Sequence, residues 1–205
     1  MKNSIVHYQW IDALKGLLII LVVAMHSSLY LVMPKLSLVL SAGYMAVFFV
    51  LSGYTAKEGT FIPGITKKMK RLLFPYIFYG VVITAYFSIV SICNGYINTS
   101  EWFGLLYSRY CVYPLGTEPN IMLLSSRATA PLWFLTSMFV SFVWFYVYVN
   151  LKQYFCKIIC IISYLLLSAL FYSLDILLPW SIDTSFICAL FIITGYELSS
   201  FATKV

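Results

Sequence analysis

The sequence predicts an all-α protein, a polytopic bundle of transmembrane helices. Three observations lead there: 62% of the 205 residues are hydrophobic, only 10% are charged, and the apolar residues gather in blocks long enough to cross a bilayer core. A spanning helix needs about 20 apolar residues. Six candidates follow, residues 13–33, 36–56, 72–93, 131–150, 158–174 and 182–200, of which the fifth is the shortest.

A net charge of +6 would suit nucleic acid, but the placement of the basic residues gives a better account. With the N-terminus inside, Lys2, Lys15, Lys57, Lys67, Lys68, Lys70, Arg71, Lys152, Lys157 and Lys204 are cytoplasmic, and only Lys35, Arg109 and Arg127 are external. That bias obeys the positive-inside rule, puts both termini in the cytoplasm, and leaves no nucleic-acid partner to explain.

The first span, in residues 10–28, reads WIDALKGLLIILVVAMHSS. Asp12 in its first turn and the apolar run beyond His26 argue against a cleaved signal peptide, as do the five candidate spans that follow. Lys15 and His26 are eleven residues apart, a rotation only about 20° beyond three full turns, so they share a helix face about 16 Å apart along the axis. Asp12, one turn before Lys15, extends a polar stripe of the kind that faces a bundle interior or a water-filled cavity. The plainer alternative is that Asp12 and Lys15 snorkel to the interface while His26 is an internally hydrogen-bonded packing residue.

Pro34 and Lys35 turn the chain into the second span, which closes with AVFFVLSGYTAKEG. Its Ser52 and Gly53 either allow close helix approach or leave room for a ligand. Lys67, Lys68, Lys70 and Arg71 then form the densest charge in the chain, read as a cytoplasmic loop running into LLFPYIF. Such a cluster is an orientation signal that attracts anionic lipid, or a site for a phosphate-bearing substrate. The third span has Pro75 near its start, where a first-turn proline sacrifices little. Residues 94–130 form a long external segment, with an interfacial or re-entrant helix expected over 102–113.

PLWFLTSMFVSFVWFYVY starts the fourth span. Trp133 is an interface-belt aromatic or a platform for a sugar ring, and Trp144, Tyr146 and Tyr148 read as an inner belt. A short outer turn around Asp175, Pro179, Trp180 and Asp183 joins the fifth span to the sixth. The five cysteines show no metal-ligand spacing, so no metal site is expected, although Cys93 and Cys111 are both placed on the outer side. No phosphate loop, Ser-His-Asp arrangement or separate soluble domain is visible, so any chemistry belongs to the bundle.

WIDALKGLLIILVVAMH, FFVLSGY, KKMKRLLFPY and PLWFL, in this order and spacing, resemble the acyltransferase-3 family of membrane acyltransferases. Within it the chain looks most like the sugar O-acetylases of the fucose 4-O-acetylase type. The resemblance runs along the whole chain, treated as one domain over residues 1–205. It implies transfer of an acyl group, usually acetyl from acetyl-CoA with no bound cofactor, to a hydroxyl of a saccharide or glycolipid. It also implies a multi-pass protein of the bacterial inner membrane.

The family's basic residue and His eleven apart fall on Lys15 and His26, and its pair of basic residues three apart falls on Lys68 and Arg71. His26 would then be catalytic, as general base or acyl carrier, with Lys15, Lys68 and Arg71 on the acyl-CoA phosphates. Trp133 and Tyr44 would meet the substrate, and Asp12, Ser52 and Gly53 would give support. Lys in place of Arg keeps the charge but loses the bidentate fork. Many sugar O-acetylases carry a second His where this chain has Tyr44. Family members also usually have more spans, so a truncated domain is expected: a fragment, a truncated paralogue, or one half of an assembly with a second membrane chain or a second copy. A non-enzymatic alternative stands beside this reading: a non-catalytic fragment, a partner subunit, or a transporter or flippase whose path is the same polar stripe.

Overall fold

The computed structural model describes residues 9–25, 34–57, 59–95, 102, 105, 106, 132–174 and 178–202; side chains at 25 and 34–42 are outside that description. The described residues contain six α-helices and no strand: α1 (Gln9–Met25), α2 (Pro34–Tyr54), α3 (Phe61–Cys93), α4 (Trp133–Val149), α5 (Tyr154–Ser173) and α6 (Ile182–Ala202). Each of the six predicted stretches overlaps one of them, although residues 26–33 of the first lie outside the described residues. Phe61–Cys93, Tyr154–Ser173 and Pro179–Ala202 are each long and apolar enough to cross a membrane. The fifth stretch gains length because its helix starts at Tyr154, just after the extended residue Gln153.

The third stretch differs most from its expectation. The basic cluster is not a loop: α3 begins at Phe61 and carries Lys67, Lys68, Lys70 and Arg71 on a continuous helix of 33 residues. Pro63 falls in the first turn, where a missing N–H is no loss, so the helix can start that early. Pro75 is therefore interior, not near a start, and withholds the hydrogen bond that the Arg71 carbonyl would receive. At the far end Gly95 adopts φ 81° and donates to the Ile92 carbonyl at 3.0 Å, a left-handed cap that stops α3.

Two compact units divide the chain, Met1–Ala56 with Phe191–Val205, and Lys57–Leu190. In the first, α1 lays Ile11, Leu14, Leu18 and Leu21 against Tyr44, Val47, Phe48, Leu51 and Tyr54 of α2. The spacing of three and four on both helices makes one apolar seam. Trp10 meets Tyr54 edge-on at 5.5 Å, so the start of α1 lies beside the end of α2. A Cβ at Gly53 would fall on the Ile192 carbonyl, and one at Gly195 on the Val50 carbonyl, so α2 and the second half of α6 touch backbone to backbone.

In the second unit α3 packs on α4. Tyr76, Gly80 and Thr84, spaced by four, are the buried stripe of α3. Trp144, Tyr146 and Tyr148 do not form a belt. Tyr146 and Tyr148 are buried, and Trp144 stacks on Phe186 at 4.8 Å while its Nε1 donates to Ser185 Oγ at 2.9 Å. Aromatic residues with a polar tip can be interior when the tip finds a partner, and here it does.

Replacing Gly53 or Gly195 with Val is expected to cost about 1–3 kcal/mol, as overpacking does. Gly16→Ala, where an added methyl meets nothing within 4 Å, should be neutral or stabilising by about 0.5–1 kcal/mol. Unfolding of the detergent-solubilised protein by titrated denaturing surfactant measures the difference.

Candidate functional site

The sequence-predicted residues are divided between the two units. Asp12, Lys15, Tyr44, Ser52 and Gly53 belong to the first, and Lys68, Arg71 and Trp133 to the second. His26 lies outside the described residues, as does most of segment 94–130.

On α1, Lys15 comes one turn after the buried Ile11 and sits half-buried on the flank of the α1–α2 seam, while Asp12 is exposed. Tyr44 is half-buried within the same seam, packed against the Ile11, Leu18 and Leu51 cluster, so its ring fills the helix interface. Ser52 is half-buried next to Gly53, which makes the backbone contact with Ile192.

On α3, one turn separates Lys68 from Arg71. The Lys68 Nζ lies 3.4 Å from the centroid of the Phe142 ring on α4, a cation held over an aromatic face. Phe142 is itself buried and meets Phe145 at right angles at 5.8 Å. One turn earlier, Gly64 has no side chain where the Tyr146 ring comes in. Lys68 is thereby half-buried with its charge fixed against α4, whereas Arg71 is exposed. Trp133 is half-buried at the start of α4, nine residues and so about 14 Å along the axis from Phe142. The sugar-platform candidate and the Lys68 cation are thus not brought together.

The interior of this unit is polar at positions that carry no motif in the sequence. Thr84, Thr136, Ser137, Ser141 and Ser185 are completely buried. Ser141 Oγ lies 2.7 Å from the Ser137 carbonyl and 3.2 Å from the Ser185 carbonyl, so it ties α4 to the start of α6. Asp183 is also buried and accepts the Leu178 N–H at 3.1 Å. The spacing by four of Gly80 with Thr84, Ser137 with Ser141 and Ser181 with Ser185 is the signal that would have found these residues. Among the described residues no group of His, Cys, Asp and Glu could hold a metal ion. Cys93 carries a free, exposed thiol, and Cys111 lies outside the described residues.

Among the described residues the regular structure is helical, and the three longest apolar helices, long enough to cross a bilayer, leave most of their apolar side chains outward, which is the make-up of an integral membrane protein. The chain belongs to the acyltransferase-3 family, whose model, described as an acyltransferase domain, matches residues 8–204. The family is one of transferases. No curated protein and no solved structure matches the chain.

A double-mutant cycle of Lys68→Met and Phe142→Leu, read by the same surfactant unfolding, should give a coupling of about 0.5–2 kcal/mol. Arg71→Met with Phe142→Leu should give none.

Proposed function

We propose that the chain is a membrane O-acyltransferase that moves an acetyl group from acetyl-CoA to a hydroxyl of a surface or exported saccharide. The observation that carries this reading is the family match over nearly the whole chain. The spacing of Lys15 with His26, and of Lys68 with Arg71, supports it.

Lys68 and Arg71 hold the phosphates of the donor on the cytoplasmic side, through charge-assisted hydrogen bonds. Fixing the Lys68 ammonium over Phe142 lowers the ordering cost of that contact. Lys15 adds positive charge on the first span, close to Asp12. His26 takes the proton of the acceptor hydroxyl as its oxygen attacks the thioester carbonyl. The C–S bond breaks, the acetyl–oxygen bond remains, and the coenzyme A thiolate recovers the proton from the imidazole. In the variant route the imidazole carries the acetyl group between the two substrates. Trp133 and Tyr44 serve the saccharide, whose ring a tryptophan face can stack. Both termini lie in the cytoplasm of a bacterial cell and the spans cross its inner membrane, as the ten-to-three bias of basic residues supports.

Acetylation of a surface glycan, compared at matched membrane expression, tests the proposal. His26→Ala is expected to lower transfer by about 100-fold or more, and undiminished acetylation would remove His26 from the chemistry. With purified protein, Lys68→Ala and Arg71→Ala should raise the KM for acetyl-CoA more than they lower kcat. Absence of any transfer or acetyl-CoA hydrolysis, together with co-purification of a second membrane protein, would favour the partner-subunit reading.

A further inference from the structure

The basic cluster of α3 divides by helix face. Lys68 points at Phe142, but Lys67 and Lys70 are exposed, and Lys70 is followed at steps of four, three and four by Phe74, Ile77 and Val81. Those steps keep all four residues on one face. Phe74 and Ile77 are 70% and 58% exposed, an apolar surface of the kind a membrane-spanning helix offers to lipid.

Where the stripe reaches Ile77 and Val81 it enters a cavity of about 440 Å³, walled also by Tyr76, Trp102, Leu106 and Trp180. Every ring donor in that wall is already engaged. The Tyr76 hydroxyl donates to the Leu105 carbonyl, Trp102 Nε1 to Ser88 Oγ at 2.9 Å, and Trp180 Nε1 to the Leu106 carbonyl at 2.9 Å. A saccharide or nucleotide placed there would give up hydrogen bonds to water and meet no free ring donor among the described wall residues. A hydrocarbon chain loses nothing. The same three bonds fix the walls before any ligand arrives, which favours a preformed site.

From Lys70 to Val81 the helix rises about 16 Å, with cations at one end and an apolar groove at the other. That is the charge pattern of a lipid with an anionic head. We infer that the outer face of α3 holds an anionic phospholipid, its phosphate on Lys67 and Lys70 and one acyl chain in the groove between Trp102 and Trp180. The site uses neither Lys68 nor Arg71 and does not depend on the proposed transfer reaction.

Native mass spectrometry of the delipidated full chain, titrated with dioleoyl phosphatidylglycerol, tests the site. One lipid should bind per chain, and Lys67→Gln with Lys70→Gln should weaken it about thirtyfold, the factor expected of two lysines near a phosphate surface. The charge-matched control, Lys57→Gln with Lys152→Gln, should leave binding unchanged. Dioleoyl phosphatidylcholine should bind the wild type no better than phosphatidylglycerol binds the double variant. Val81→Phe, which narrows the groove, should weaken phosphatidylglycerol too. Should that variant fail to fold, the short-chain dihexanoyl phosphatidylglycerol, expected to bind at least tenfold more weakly, tests the groove in the wild type. Equal binding of the two headgroups, undiminished binding by the lysine variant, equal binding of short and long chains, or preferential occupancy by a polyprenyl phosphate would each overturn the assignment.

Discussion

Lipid offers no hydrogen bonds and no hydrophobic gradient between helices, and this double constraint shapes the interior of the protein. Contacts must come from close packing and from polar groups that satisfy one another. The second unit shows the polar half of that answer. Ser141, Ser185 and Trp144 form a chain of side-chain and carbonyl contacts across the α4–α6 junction. Tyr164 adds to it by donating to the Trp144 carbonyl at 2.9 Å, which brings in α5. Aromatic faces complete the packing around that chain: Trp144 on Phe186, and Phe171 on Phe186 at 6.1 Å. One residue, Phe186, thus collects rings from both neighbouring helices.

Helix α3 applies the same constraint to charge. A cluster of four cations on a loop would be one undivided field. Carried on a helix, the cluster is sorted by the 3.6-residue period. Lys68 is turned to α4 and held over a buried ring, while Lys67 and Lys70 remain at the surface. Cations only a residue or two apart in sequence therefore meet different surroundings within the same two turns.

The helices are legible in the sequence because length and apolarity alone decide them, and all six stretches carry one. The boundary of α3 is not, because basic residues beside an apolar run look like a loop until Pro63 is recognised as a first-turn residue. The inward positions of Tyr146 and Tyr148 are hidden for a related reason. Aromatic content near a span end is the same whether a ring faces the interface or a neighbouring helix. Of the site residues, Lys15 and His26 share a face on the helical period of the sequence, and His26 lies outside the described residues. Phe142 beneath Lys68 cannot be read from spacing, because the two are 74 residues apart in sequence and meet only through the α3–α4 contact.

The glycine contacts differ in what evolution can do with them. At Gly64 and Gly80 the obstructing atoms belong to the side chains of Tyr146 and Leu105, so a larger residue at either glycine has a route to compensation through a smaller partner. At Gly53 and Gly195 the obstructing atoms are main-chain carbonyls of Ile192 and Val50. No substitution at position 192 or 50 removes a carbonyl. These two glycines have no second-site suppressor in the residues they touch, and a lineage that loses one has only reversion, or a wholesale shift of the helix, as a way back.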